Sequence, residues 1–148
     1  MRNELLVIED THVHLSILRK IASQEGFEAT CVDTVESAIE VLQKRSFDCI
    51  TLDLSLGERS GDEILAFLAQ LNSRTPILLI SGAEGENRED KVRFAASLGL
   101  VVYPQFRKPV DLPTLRKTLR EVATIAGCQK LVSTHGSKAR SDKVNERA

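Results

Sequence analysis

The stretch Cys49-Ile50-Thr51-Leu52-Asp53 decides the fold. Its first four residues form an apolar run rich in β-branched side chains, and the run ends on the carboxylate of Asp53. The residues that follow, Gly57–Gly61, predict a loop. A buried strand that delivers one acid to its carboxyl end is how an open α/β sheet presents a reactive group. The role of Asp53 therefore depends on which residues lie beside it at this edge of the sheet.

Short apolar runs alternate with segments of helical periodicity along most of the chain. The predicted strands are Leu5–Ile8, Glu28–Val32, Phe47–Leu52, Ile77–Ile80 and Leu100–Tyr103, the last resuming through Phe106. The predicted helices are Thr11–Glu25, one capped by Asp33, one opened by Ser60, Asn87–Leu98, and one that begins after Asp111 and ends at Gly127. Five strand-then-helix units predict an α/β fold, a doubly wound parallel sheet with five helices on its two faces.

Length and composition narrow the class of protein. A chain of 148 residues is long enough for one domain, and a net charge of -1 argues against direct nucleic-acid binding. No apolar run is long enough to span a bilayer. The three cysteines are odd in number and widely spaced, which favours a reducing cytoplasm over a disulfide framework. We place the domain at residues 1–127 and expect residues 128–148, which are polar and lack periodicity, to form a disordered tail.

Polar and charged residues follow four of the predicted strands. They are Glu9 and Asp10, Asp53, Ser81 and Lys108. The carboxyl ends of parallel strands lie along one edge of the sheet, where ligands bind. Three carboxylates gathered there would repel one another without a cation, and an all-oxygen site suits Mg²⁺. A lysine and a hydroxyl at the same edge could contact phosphoryl oxygens, which makes Asp53 the candidate nucleophile for a phosphoryl group.

These motifs resemble the receiver domain of two-component response regulators. The matching pieces are Val7–Asp10, Leu52–Asp53 with Gly61 downstream, Leu79–Ala83 and Arg107–Val110, and the resemblance covers about residues 3 to 126. It implies a flavodoxin-like sheet of strand order 2-1-3-4-5. It also implies a cis peptide bond before Pro109.

The resemblance assigns a role to each residue of the set. Asp53 would accept a phosphoryl group from a sensor histidine kinase or a histidine phosphotransfer protein. The implied Mg²⁺ ligands are Asp10 directly, Glu9 through water, Asp53, and the backbone carbonyl of Ser55. Ser81 would bond the phosphoryl group and Lys108 would pair with it.

The sequence departs from the family pattern at three places. Gln105 stands where receiver domains commonly carry an aromatic switch residue, so that Tyr103 or Phe106 would serve instead, or neither would. Ser55 and Ala83 stand where side chains influence hydrolysis of the phosphoryl group, so its lifetime does not follow from the sequence.

The function expected from the resemblance is that of a response regulator, a signalling domain rather than an enzyme. We expect it to stand alone, because about 20 residues follow the predicted fold, too few for a DNA-binding or catalytic domain. Its output would come through a protein partner, a homodimer formed by the last two helices, or onward phosphotransfer. Two alternatives stay open: an interaction module with vestigial phosphorylation, and an aspartate-nucleophile phosphatase, which would need an acid where Ser55 stands. His12 and His14 are expected to be exposed or to contact a partner.

Overall fold

Five parallel strands form the central sheet of the computed structural model. The structure describes residues 3–56, 59–81 and 88–140. The strands are β1 (Asn3–Ile8), β2 (Phe27–Val32), β3 (Cys49–Asp53), β4 (Ile77–Ser81) and β5 (Val102–Arg107). The helices are α1 (His12–Gln24), α2 (Val35–Lys44), α3 (Asp62–Gln70), α4 (Arg88–Ser97) and α5 (Leu112–Arg140). The strands are ordered β2-β1-β3-β4-β5, which confirms the predicted fold class and sheet order.

Two apolar layers bury the sheet. One face packs against α2, α3 and α4, and its buried members include Leu6, Ile8, Ile50, Leu52 and Leu79. The other face packs against α1 and α5, and its buried members include Leu5, Val7, Cys49, Leu78 and Ile80. Successive side chains of a strand point to opposite faces, so a strand covered on both sides must be apolar throughout. This explains why β1, β3 and β4 appear in the sequence as continuous apolar runs.

The segment after β3 differs from the predicted loop. Ser55–Leu56 pairs with Arg59–Ser60 as a short antiparallel ladder, so that the expectation of loop structure throughout Gly57–Gly61 was wrong at its second half. Residues 57 and 58 lie outside the described part of the chain.

Strand β5 carries an irregularity beside its neighbour β4. Leu78 pairs with Tyr103, and Ile80 pairs with Phe106, so three steps along β5 match two steps along β4. The extra residue is accommodated as a bulge within one strand. The sequence had predicted an interruption between Tyr103 and Phe106, and the structure shows a continuous strand there.

Two predicted helix starts are shifted by one residue. The N-cap of α2 is Thr34 rather than Asp33, and its hydroxyl accepts a hydrogen bond from the backbone N–H of Ser37 at 3.0 Å. The N-cap of α3 is Gly61 rather than Ser60. A Cβ on Gly61 would lie 3.3 Å from the buried side chain of Leu52, so close packing against β3 favours glycine at this cap.

Two of the three glycines that were predicted to end helices do so in the structure. Gly26 and Gly99 have φ of 87° and 82°, the left-handed conformation that ends a helix, as predicted after α1 and α4. Gly127 does not end α5, which continues to Arg140, so the predicted helix end was wrong. Glycine inside a helix costs only about 1 kcal/mol relative to alanine and does not by itself terminate it. Residues 141–148 of the predicted disordered tail lie outside the described residues.

No helix within the described ranges combines the length and the apolar character that crossing a membrane requires.

Candidate phosphoryl-transfer site

Strand alternation brings the three central residues of the site onto one face of the sheet. Val7 of β1 is the register partner of Thr51 in β3. Glu9, just after the end of β1, and Asp53, the last residue of β3, each lie two residues beyond this pair. Period-two alternation therefore points both carboxylates to the face that α1 and α5 cover. Lys108 stands two residues after Phe106, which is buried on that same face. The sequence thus places two acids, Glu9 and Asp53, and the lysine Lys108 on the same face at the carboxyl edge of the sheet.

The acids form a compact cluster. One carboxylate oxygen from each of Glu9, Asp10 and Asp53 lies within 4.8 Å of the other two. Glu9 and Asp53 are each only 1% exposed, whereas Asp10 is exposed at the rim. Two buried carboxylates at such distances repel unless a cation lies between them.

Lys108 supplies one such cation. Its Nζ donates to Glu9 Oε2 at 3.1 Å and to Asp53 Oδ2 at 3.2 Å. Burial of the ammonium lowers its pKa, but the carboxylates of Asp53 and Glu9 together outweigh burial and hold the pKa of Lys108 above its ordinary value. Lys108 is therefore fully charged at neutral pH and bridges the two buried acids.

The two oxygens of Glu9 have different surroundings. Oε2 accepts from Lys108 Nζ and from the backbone N–H of Thr11, the latter at 3.2 Å. Oε1 is buried and has no hydrogen-bond partner among the described residues. A buried carboxylate oxygen left without a donor costs free energy unless a ligand or water satisfies it. The donor set consists only of oxygens and includes this unsatisfied atom, so it fits a hard divalent cation such as Mg²⁺ with part of its water shell.

The remaining predicted site residues are placed by their backbone. Ser81 ends β4 and pairs with Arg107, one residue before Lys108, so that its Cα lies at the same edge of the sheet. Ser55 lies two residues beyond Asp53, in the short antiparallel ladder. The side chains of both serines, and that of Gln105, lie outside the described set. The peptide bond between Lys108 and Pro109 is cis.

Comparison with known families agrees with this geometry. The sequence profile described as "Response regulator receiver domain" matches residues 5–137. The chain belongs to the response regulator receiver domain family. Receiver domains are signalling domains of two-component systems that interact with histidine kinases or phosphotransfer proteins, and they bind Mg²⁺ at an acidic site.

Relatives of this receiver domain include the cell cycle response regulator CtrA of Brucella ovis. The two are 36% identical over 89 residues, which cover 60% of this chain and 38% of CtrA. The match therefore spans less than half the length of that relative.

Solved structures with the same fold are more distant in sequence. The signal receiver domain of a putative Luxo repressor protein from Vibrio parahaemolyticus has a TM-score of 0.72 and 22% identity, over 89% of this chain and 98% of that one. The receiver domain of a sensor histidine kinase from Pseudomonas aeruginosa has a TM-score of 0.66 and 18% identity, over 84% of this chain and 99% of that one. That structure contains a magnesium ion coordinated in its active site cleft.

The two aromatic residues considered as replacements for Gln105 lie on the same face of the receiver sheet. Phe106 is fully buried, and Tyr103 is partly buried, both in the apolar layer shared with α1 and α5. The bulge in β5 falls between them, so two residues three positions apart lie on the same face of the sheet. The structure thus places both aromatics on the side of the sheet away from α4.

One neighbour of the site was not predicted from the sequence. His12 is exposed, as expected, but His14 is partly buried, and its Nδ1 lies 3.6 Å from Glu9 Oε2. Side chains of a helix lean toward its N-terminus, so a residue in the first turn of α1 reaches back toward the end of β1. This geometric rule could have indicated that His14 lies near Glu9. The pattern of residue types alone does not indicate that contact.

Proposed function

We propose that this receiver domain accepts a phosphoryl group on Asp53 from the phosphohistidine of a sensor histidine kinase or a phosphotransfer protein. The observation that carries the proposal is the buried Asp53 carboxylate, clustered with two further acids and bonded to Lys108 at 3.2 Å. Burying an acid and pairing it with a lysine costs desolvation free energy. Such a pair at the ligand-binding edge of a sheet therefore favours a functional role over a purely structural one.

The reaction is a single displacement at phosphorus. A carboxylate oxygen of Asp53 forms the new O–P bond while the N–P bond of the phosphohistidine breaks. The departing imidazole keeps the bonding electrons and takes a proton from water. Such transfers pass through a loose transition state with negative charge spread over the phosphoryl oxygens, so catalysis consists of alignment and charge neutralisation.

Lys108 is the residue that neutralises this charge from the protein side. Its ammonium already lies within hydrogen-bond distance of Asp53, so a phosphoryl group on Asp53 enters the reach of the same Nζ atom. The raised pKa keeps the ammonium protonated throughout the physiological range. The hydroxyl of Ser81 is proposed as a second donor to the phosphoryl group.

Glu9, Asp10 and Asp53, with the backbone carbonyl of Ser55, are the proposed ligand set for Mg²⁺. When bound, the ion neutralises negative charge on the phosphoryl oxygens. The protein's own contribution is to hold the acids within 4.8 Å of one another and to leave Glu9 Oε1 without a competing donor from the described residues.

The signalling output follows from the class of domain. Phosphorylation of Asp53 would change which proteins bind the surface around α4 and α5, including a possible second copy of the chain. The domain limits at 1–127 and the cytoplasmic location expected from the sequence stay predictions.

Mass spectrometry of the intact protein tests the proposal. We expect incubation with a small acyl phosphate and Mg²⁺ to add one phosphoryl group to the wild type and none to Asp53→Asn. Asp33→Asn is the matched control, since Asp33 is an exposed aspartate at the end of another strand, and it should be modified like the wild type. Equal uptake by Asp53→Asn would overturn the proposal. No uptake by the wild type would favour the interaction module with vestigial phosphorylation.

A further inference from the structure

Three donors converge on a single oxygen of Glu9. Lys108 Nζ and the backbone N–H of Thr11 bond Oε2 at 3.1 and 3.2 Å, and His14 Nδ1 lies 3.6 Å from the same atom. The Nδ1 atom of His14 is buried and has no hydrogen-bond partner among the described residues. A buried ring nitrogen without a partner is uncommon, and this one lies near Oε2, the oxygen of Glu9 that Lys108 and Thr11 already hold.

We infer that His14 is a positioning residue, which holds Glu9 by donating from its Nδ1–H to Oε2 once Lys108 turns to the phosphoryl group. This inference rests on the proposed function. Closing from 3.6 Å to an ordinary N–H···O distance requires a shift of about 0.7 Å. Hydrogen bonds of functional sites are often long before ligands bind and shorten afterwards.

The physical need for such a donor follows from the position of Lys108. Its ammonium serves Glu9 and Asp53 at once, and a phosphoryl group on Asp53 would draw it away from Glu9. Glu9 is 1% exposed, so solvent does not replace the lost donor. Without a second side-chain donor, only the backbone N–H of Thr11 would hold Oε2, and the carboxylate would be less firmly oriented toward its ligands.

The place of His14 in the helix makes this contact possible. It is the third residue of α1, whose first turn follows directly from the end of β1, and its side chain leans back over Glu9. The imidazole is 34% exposed as a whole, yet its Nδ1 is buried, so the ring presents one nitrogen to the site.

Mg²⁺ affinity of the full chain, measured by isothermal titration calorimetry in the presence of beryllofluoride, which occupies the position of the phosphoryl group on Asp53 and draws Lys108 to it, tests the inference. We expect His14→Leu to weaken Mg²⁺ binding by about tenfold, as is typical when a partner of a metal-site residue is removed. His14→Asn places an amide N–H at the position of Nδ1, so it should recover most of the affinity. His12→Leu is the matched control on the same helical turn and should bind Mg²⁺ like the wild type.

A kinetic readout separates positioning from a structural role. The Mg²⁺ concentration that half-saturates phosphorylation of His14→Leu should rise by the same factor of about ten, while the rate at saturating Mg²⁺ changes little. His14→Gln, which moves the donor one bond further from the backbone, provides a second polar variant and should resemble His14→Leu.

Each outcome decides the inference. Equal Mg²⁺ affinity in the wild type and His14→Leu would overturn it and leave the proposed function standing. Retained affinity in His14→Leu with loss in His14→Asn would also overturn it, since bulk over Glu9 rather than the donor would then matter. A wild type that binds no Mg²⁺ would overturn both this inference and the proposed Mg²⁺ site.

Discussion

Replacing Lys108 by methionine removes the cation that bridges two buried acids while keeping most of the unbranched, apolar part of the side chain. Lys108 is 19% exposed and bonds Glu9 and Asp53, each 1% exposed. Breaking a fully buried ion pair costs about 3–5 kcal/mol, and an exposed pair contributes about 0–1 kcal/mol. Because the lysine is partly exposed and its partners are not, we expect Lys108→Met to lose about 2 kcal/mol of unfolding free energy.

Urea denaturation followed by circular dichroism measures this loss. For a domain of this size, 2 kcal/mol corresponds to a fall in melting temperature of roughly 6–10 °C. Lys117→Met is the matched control, since Lys117 is an exposed lysine on α5, and it should change stability by less than about 0.5 kcal/mol. Mg²⁺ should recover more stability in Lys108→Met than in the wild type, because the ion then supplies the missing positive charge.

The pH dependence has a defined sign. The folded protein holds the pKa of Lys108 above its value in the unfolded chain, so the ammonium contributes its full stability below about pH 10.4. That contribution is lost as the pH rises through the raised pKa. The stability gap between the wild type and Lys108→Met should therefore narrow above about pH 10.4. A variant as stable as Lys117→Met at pH 8, with no change of the gap at high pH, would refute the bridging role.

Three further changes test other parts of the structure. Thr51→Val should stabilise the domain by about 1 kcal/mol in urea denaturation, because the Thr51 hydroxyl is buried with no partner among the described residues; no gain would refute this. Thr34→Ala should cost about 1 kcal/mol through loss of the α2 cap, and Asp33→Ala should cost much less; the reverse order would restore Asp33 as the cap. Mg²⁺ at a hundred times its dissociation constant should stabilise the wild type by about 2.7 kcal/mol, and Asp10→Asn should reduce this gain; an unchanged gain would exclude Asp10 from the site.

The strands and the site edge could be predicted because their physics is local. A strand buried on both faces must be apolar throughout, so β1, β3 and β4 can be recognised in the sequence as apolar runs. The polar residue that follows each run is thereby placed at the carboxyl end of its strand. Strand order came from the family resemblance, because periodicity does not determine which strands are neighbours. The acid cluster was predicted from the strand ends, because the carboxyl ends of parallel strands share one edge of the sheet, and the structure shows that the cluster is compact.

The errors arose where two residues satisfy the same local rule. Asp33 and Thr34 are both good N-caps, and the backbone turn decides between them. Gly127 has a sequence context like that of Gly26, but its helical conformation needs no left-handed turn, so α5 continues. The partial burial of His14 depends on how α1 lies over the end of β1, a tertiary contact that residue type does not encode.

Locating the phosphoryl group tests the central claim most directly. The protein is phosphorylated with an acyl phosphate and Mg²⁺, reduced with borohydride, which converts a phosphoaspartate to homoserine, and digested for peptide mass spectrometry. We predict that homoserine appears at position 53 alone and disappears when Mg²⁺ is removed by a chelator. Homoserine at another aspartate, or none in a protein that has taken up phosphate, would contradict Asp53 as the phosphoacceptor.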